Sequence, residues 1–340
     1  MRHFRMSFVV TFVLLALAAW WGYSIGGSAG AAQALLIASI LAVMEVSLSF
    51  DNAVVNASVL RTWDEFWQKL FLTVGIIIAV FGMRLVFPLL IVSIATGLGL
   101  IDVLSMALNT PAEYSRHLTD NHAQVAAFGG AFLLLVFLNF LFDQDKELHW
   151  LGWFEEKLGA HGTEGLSTLL ALLAVFGCMA LVPVEQKLSV LMAGVGGIAV
   201  YLGVNFLSGL LENEVGDPAI GTVIKRGSIG GFLYLEVLDA SFSFDGVIGA
   251  FAITSDVVII MIGLAIGAMF VRSMTIFLVR KGTLEEYVYL EHGAHYAIGI
   301  LAMIMLASVK YHIPEWFTGL SGVAFIGLAL WSSVRYKRMQ

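Results

Sequence analysis

Glu45-Val46-Ser47-Leu48-Ser49-Phe50-Asp51-Asn52-Ala53-Val54-Val55 lies inside one apolar run, and a near copy lies inside another: Asp239-Ala240-Ser241-Phe242-Ser243-Phe244-Asp245-Gly246-Val247-Ile248. Aligned on Ser-Phe-Asp, Glu45 falls on Asp239, Ser49 on Ser243 and Asp51 on Asp245. The apolar run after each copy carries a central arginine, Arg84 and Arg272. Acids in the middle of long apolar stretches mark membrane-embedded helices with polar work to do, because a charge at mid-bilayer costs several kcal/mol unless it is paired or used.

The composition around these stretches agrees. Of 340 residues, 59% are hydrophobic and 13% charged, with a mean hydropathy of +0.89. Soluble domains carry about a quarter charged residues. Runs long enough to cross a bilayer (roughly 20 residues) recur from end to end, leaving little room for a soluble domain. We read ten spans, at 7–25, 31–57, 70–97, 123–142, 166–184, 189–211, 229–252, 255–279, 293–310 and 316–335. In hydrocarbon the backbone must satisfy its own hydrogen bonds, so these are helices, and the short alternating segments of a barrel are not visible. The predicted fold is an all-α polytopic transmembrane bundle.

Lysine and arginine orient it. With the N-terminus in the cytoplasm, thirteen of them fall inside, Arg5, Arg61, Lys146, Arg280 and Arg338 among them, against Arg116, Lys187 and Lys310 outside. Ten spans then put both termini in the cytoplasm of a plasma or inner membrane. The chain divides into an N-terminal helix (1–30), a first repeat of three helices (31–142), a charged cytoplasmic linker (143–165), two intervening helices with their loop (166–228), and a second repeat of three helices with a final helix (229–340). Arg2, Arg5 and the small residues Ser28-Ala29-Gly30-Ala31 also fit a signal peptide, but the apolar stretch is long for one, and a retained helix is the expectation. The linker's charges read as solvated. Two signature helices five places apart in the topology point in opposite directions, so the halves form an inverted repeat, an architecture that puts transporter sites near the midplane.

Five acids (Glu45, Asp51, Glu236, Asp239 and Asp245) face two arginines in these runs. Ionised together they would leave a net charge of about −3, which is tolerated only if some are protonated or a cation is bound. At about 100° per residue, Glu45, Ser49, Asn52 and Asn56 share one helix face, while Asp51 lies about 120° away from it. Either each Asp faces another neighbour or the helix unwinds near Ser-Phe-Asp, a break that Gly246 and Gly249 make easier in the second copy. Carboxylate, amide and hydroxyl oxygens suit hard cations, Mg²⁺, Ca²⁺ or Mn²⁺. Neither signature holds His or Cys, and the lone Cys178 excludes a cysteine cluster. The plain alternative is structural ion pairing with Arg84 and Arg272. Asn139 and Asn205 read as interhelical glue, His292 and His295 as interfacial residues, and Gly194-Val195-Gly196-Gly197 as close helix packing. No basic tract invites nucleic acid.

Glu45-x5-Asp51-Asn52, Glu236-xx-Asp239-x5-Asp245 and Tyr289-Leu290-Glu291-His292-Gly293, with Arg84 and Arg272, resemble the tellurium-resistance TerC family of integral membrane proteins over roughly residues 31–335. The resemblance implies efflux of a divalent metal ion, chiefly Mn²⁺ with Ca²⁺ next, and a link to tellurite resistance. It implies that Glu45, Asp51, Asn52, Glu236, Asp239 and Asp245 handle the ion, with Ser49, Ser243, Arg84 and Arg272 in support. Two spans more than the family commonly has separate the repeats here, and Gly246 stands where a Ser is usual. The expected protein is therefore a secondary carrier and not an enzyme. It needs no permanent cofactor, takes Mn²⁺ or Ca²⁺ as cargo, and uses H⁺ or Na⁺ as counter-ion. The rivals are a non-transporting membrane partner in metal or tellurite stress and an intramembrane aspartyl protease built on Asp51 and Asp245.

Overall fold

The computed structural model describes residues 4–75, 77–144, 146, 148–160, 162, 165–212, 227–281 and 287–339, apart from the side chains at 51, 95, 207–212, 244, 245, 252, 281, 315, 316 and 339. Every regular element among them is helical. Seven of the helices are long and apolar enough to cross a membrane. Large apolar side chains such as Phe12 and Ile94 point outward, 77% and 82% exposed. Water would oppose so apolar a surface, whereas lipid matches it. The chain is a helical membrane protein.

The first element, α1 (Arg5–Leu48), is a hairpin and not a rod. Its helix is interrupted at Gly26 and at Gly27, which has φ +61° and ψ −147°. Only glycine adopts that backbone without strain. Gly22 and Gly30 meet backbone to backbone across the bend, with Ala34 alongside. The two arms carry the first and second spans read from hydropathy. Both lie on α12 (Val257–Lys281). Ser7 Oγ bonds Met269 and Ser273 there, and Trp21 Nε1 donates to Asp256 at 3.0 Å, so the first arm runs antiparallel to α12. The second arm runs parallel to it, seated on Gly263 against Leu41 and on Gly267 against Glu45. Two glycines four apart give a helix a groove into which a neighbour can sink.

A distorted residue, Ser49 (φ −103°, ψ 16°), separates α1 from α2 (Phe50–Leu60). The backbone bonds Ser49 N to Glu45 O (2.9 Å) and Ala53 N to Ser49 O (3.3 Å) carry the helix across it. The expected break therefore exists in the first signature as a kink. It does not exist in the second: α11 (Ile229–Ile253) is continuous through Gly246 and Gly249.

After α3 (Glu65–Leu70), the helix carrying Arg84 widens into π-helical turns at Phe71–Gly75 and Ile78–Val86, then continues as α4 (Phe87–Thr96). Hydropathy could not distinguish π from α winding. The segment 98–122, left between the spans 70–97 and 123–142, folds into α5 (Leu100–Asn109) and α6 (Pro111–Asp120). Tyr114 and Leu118 of α6 are buried, and Tyr114 packs on Phe251. The apolar pattern of these short helices sat below the length of a span, so the region passed for a connection.

The remaining elements are α7 (His122–Leu141), α8 (Trp153–Ala160), α9 (Leu166–Leu181), α10 (Val184–Glu212), α13 (Leu290–Ser308) and α14 (Glu315–Met339). Close packing at the glycine-rich turn of α10 holds: Gly197 abuts the Phe128 carbonyl of α7, and Gly194 faces Val175 of α9. α7 and α13 pack directly, Gly129 on Met305, Gly130 on Leu306 and Phe137 on Gly299, so they run antiparallel. α11 packs on the π-helical segment and α2 on α12. Phe132, Leu235, Leu238 and Leu290 are buried in the core among α2, α7, α10, α11 and α13.

The charges of the segment 143–160 are not all solvated: Glu156 and Lys157 are exposed, whereas the side chains of Lys146 and Glu155 are buried. Glu155 is fully buried, accepting from Tyr296 OH (2.6 Å) and the Trp150 amide (2.9 Å), with Lys146 Nζ at 3.7 Å and His292 at 3.8 Å. Sequence shows the charges but not this burial, because Tyr296 and His292 come from far along the chain.

Candidate functional site

Glu45 and Asp239 occupy matching places in the two copies, and the fold brings both to Arg84. α11 crosses the first signature helix antiparallel. Gly246 lies at Glu45, while Asp239 and Asn56 share one cavity. Glu45 is 1% exposed. Its Oε1 meets Arg84 Nη2 and accepts from Ser49 Oγ at 3.0 Å. Its stem packs on Gly267, and a Cβ at residue 246 would stand 2.8 Å from its Oε2. The absent side chain at Gly246 thus makes room for the carboxylate of the other half. This also explains why the glycine leaves α11 unbroken: it serves a neighbour and not the local backbone.

Arg84 is equally buried, and the wide winding of its helix brings its Nη1 onto the Ala79 carbonyl at 2.6 Å, five residues back. One guanidinium therefore holds Glu45 and a backbone carbonyl, with Asp239 on the wall of the same cavity. Fork-shaped donors suit such multiple acceptance better than an ammonium does.

Beside this group is a cavity of about 40 Å³ lined by Asn56, Phe71, Gly75, Arg84, Glu236, Asp239, Arg272 and Thr275, with apolar side chains between them. A single water needs roughly 10–15 Å³ on the same measure. Glu236, one turn before Asp239 on α11, is buried and turns toward the cavity with neither oxygen hydrogen-bonded. The Nε of Arg272 has no partner either. The two arginines, equivalent in sequence, therefore differ: Arg84 is paired, whereas Arg272 makes no ion pair among the described residues.

Of the expected residues, Glu45, Ser49, Arg84, Asp239, Glu236 and Arg272 are brought together. Asn52 is buried on α2, and Ser243 is buried on α11 with its hydroxyl unpartnered, away from the cavity lining. The side chains of Asp51 and Asp245 lie outside the described residues. Among the described residues, no three His, Cys, Asp or Glu side chains are grouped to hold a metal ion. Thr275, Gly75 and Gly246 were not read from sequence as site residues. Asn56 carried a signal, since it shares the oxygen-rich face of Glu45. Gly75 and Gly246 carried none, because a glycine announces its neighbour only in three dimensions.

A second charged group lies at the end of the bundle that holds the Arg61–Glu291 pair (2.6 Å). There Lys146 sits over the Phe140 ring at 4.2 Å, and burial pushes its ammonium below the usual 10.5, partly offset by Glu155 and Asp143. His295 stacks on the same ring.

The model of a family described as a protein of unknown function, DUF475, matches residues 50–340, which takes in the cavity but leaves out Glu45 and α1. No curated protein matches the chain. No solved structure matches it.

Proposed function

We propose that this chain, which belongs to the DUF475 family of proteins of unknown function, is a secondary carrier exporting a divalent cation, Mn²⁺ first and Ca²⁺ next, from the cytoplasm. The observation that carries the reading is that Glu45 pairs with the buried Arg84 while Asp239, its equivalent on the antiparallel signature helix, lines the cavity beside the same arginine. Ion pairing for stability alone would not call for duplicated acids from opposite halves, since a buried pair can be replaced by apolar residues at little or no cost.

The remaining packing supports an inverted repeat. Each signature helix lies on the arginine-bearing helix of the other half, α2 on α12 and α11 on the π-helical segment, and the third helices α7 and α13 lie antiparallel on one another. In such an architecture two halves rock about a shared midplane site. The ten-span topology has both termini in the cytoplasm, and Arg61, Lys146 and Tyr289 gather at the end assigned there.

Arg84 then acts as a resident counter-cation. It neutralises Glu45 and Asp239 when no ion is bound and swings aside when a hard cation takes their oxygens with those of Asn56, Ser49 and Asn52, all suited to Mn²⁺ or Ca²⁺. Asp51 and Asp245, by their spacing in the motif, serve to receive or release the ion, each on its own side of the membrane. The resemblance to the TerC family supports the same cargo. A lining of acids repels tellurite, so any link to that oxyanion is indirect.

The test is Mn²⁺ and Ca²⁺ flux in proteoliposomes holding the purified protein beside Glu45→Gln, Asp239→Asn, Asp51→Asn and Asp245→Asn. Flux in the wild type that all four variants lack is the expected result. A second reading, a non-transporting membrane partner, draws on the arginine already neutralising both acids. Flux of neither ion under an imposed pH or Na⁺ gradient would favour it.

A further inference from the structure

The short helix α8 divides its surface into three sides. Glu155 and Gly159, one turn apart, are its buried residues and face the bundle. Glu155 is bonded to Tyr296 and the Trp150 amide, and Gly159 lies close to the Asp143 carbonyl at the end of α7. At about 100° per residue, Trp153, Phe154 and the half-buried Leu158 fall on a second side, within roughly 140° of one another. Trp153 is 72% and Phe154 47% exposed, with their rings edge to face at 6.1 Å. Glu156 and Ala160, both exposed, take the remaining side.

The segment lies beside the bundle and does not extend past its end. The Trp150 ring packs on Tyr296 at 5.5 Å, and His292 Nε2 lies 2.8 Å from the Leu148 carbonyl oxygen. Tyr296 is six residues, roughly 9 Å, inside the start of α13, one of the helices long and apolar enough to span. The headgroup layer on each side of the hydrocarbon is roughly 5–8 Å thick. α8 therefore stands at the depth of that layer. The next helix, α9, carries the lipid-facing surface onward with Leu169, Leu173 and Phe176 exposed.

We propose that α8 is an interfacial anchor whose Trp153 and Phe154 insert among the headgroups and upper acyl chains of the leaflet at that end. The partner of this face is phospholipid. Tryptophan gathers at this boundary because its ring is apolar and its N–H polar. Lys157, one turn after Trp153, suits the same place, since a lysine stem lies along apolar surface while its ammonium reaches phosphates. Two aromatic rings on a helix about 12 Å long fall far short of the roughly 800 Å² per partner that a stable protein interface buries. Glu155, held from the opposite side by Tyr296, makes α8 a bridge from the leaflet to α13. The anchor holds whatever the bundle transports.

The test places one nitroxide at a time on Trp153→Cys, Phe154→Cys and Glu156→Cys, in Cys178→Ala protein reconstituted in phosphatidylcholine with phosphatidylglycerol. Molecular oxygen should relax the labels at 153 and 154 several-fold more than a water-soluble nickel complex does, and the order should reverse at 156. Nickel reaching 153 and 154 as readily as 156 would put this face in water and overturn the anchor. Neither reagent reaching them would overturn it too, because protein, such as a second copy of the chain, would then cover the face. Tryptophan fluorescence tests the same point without a label. Lipids brominated near the headgroup should quench the wild type more than Trp153→Phe, and they should quench that difference more strongly than lipids brominated near the chain end. Equal quenching of the two proteins would sink the proposal.

Discussion

Arg84 stands beside two acids from the two motif copies, and its removal would leave Glu45 buried with only the Ser49 hydroxyl as a partner. Breaking a buried pair in this way costs roughly 3–5 kcal/mol. Arg84→Gln should therefore lower the thermal midpoint of the purified protein in detergent. If the pocket binds metal, added Mn²⁺ should restore much of that loss, because the cation takes the guanidinium's place. A melting curve indifferent to Mn²⁺ would leave Arg84 as a purely structural counter-charge. Gly246 makes a sharper test of the same contact. A side chain there meets Glu45 Oε2 at 2.8 Å from its first carbon, so Gly246→Val should abolish Mn²⁺ flux while the protein still folds. The acids themselves were legible as an alignment of two motifs. The role of the glycine was not, because nothing in its own helix requires it.

At the scale of elements, α1 and the segment 143–160 depart most from their sequence reading. The turn of α1 hangs on Gly27, whose φ of +61° and ψ of −147° only glycine holds easily. Gly27→Val should cost about 1–3 kcal/mol and loosen the first arm from α12, seen as faster proteolysis near residues 20–30 or a lower thermal midpoint. The charged segment is tied down by Glu155, and Lys146 gives it a pH signature. Burial holds the folded ammonium below its ordinary 10.5, so between those two values the unfolded chain binds more protons than the folded one. Stability from this residue therefore rises as pH climbs through that window toward 10.5. Lys146→Met should flatten the rise in denaturation curves taken at alkaline pH. An unchanged slope would mean that Lys146 is as well hydrated in the folded protein as in the unfolded chain. Charge counting alone made this region a solvated linker, because the partners that bury Glu155, Tyr296 above all, come 141 residues later.

For the whole molecule the prediction is one of sidedness. Thr62 and Arg338 belong to the end that carries Arg61 and Glu291, whereas Asn109 and Ser255 belong to the end where Trp21 meets Asp256. With the single cysteine removed as Cys178→Ala, one new cysteine at a time should react with an impermeant reagent from outside whole cells at 109 and 255. Those at 62 and 338 should react only after the membrane is opened. Labelling of 62 or 338 in intact cells would refute the ten-span topology with cytoplasmic termini. The same background allows Asp51→Asn and Asp245→Asn to be compared for ion binding from opposite faces, which an inverted repeat requires to differ in sidedness.

What the residue order determined by itself was the class of the protein and the whereabouts of its acids. Apolar runs this long in a chain with 13% charge leave helices in lipid as the way to satisfy the backbone. A motif copied with its spacing intact marks its own candidate positions. Which acids meet was decided by the tertiary structure alone. Glu45 reaches Arg84 and the groove at Gly246, which its place in the motif does not reveal. Glu236, buried with neither oxygen hydrogen-bonded, looks in sequence like its neighbours. Its isolation comes from the helices around it, since helical periodicity sets the direction a side chain points and only packing sets what it meets there.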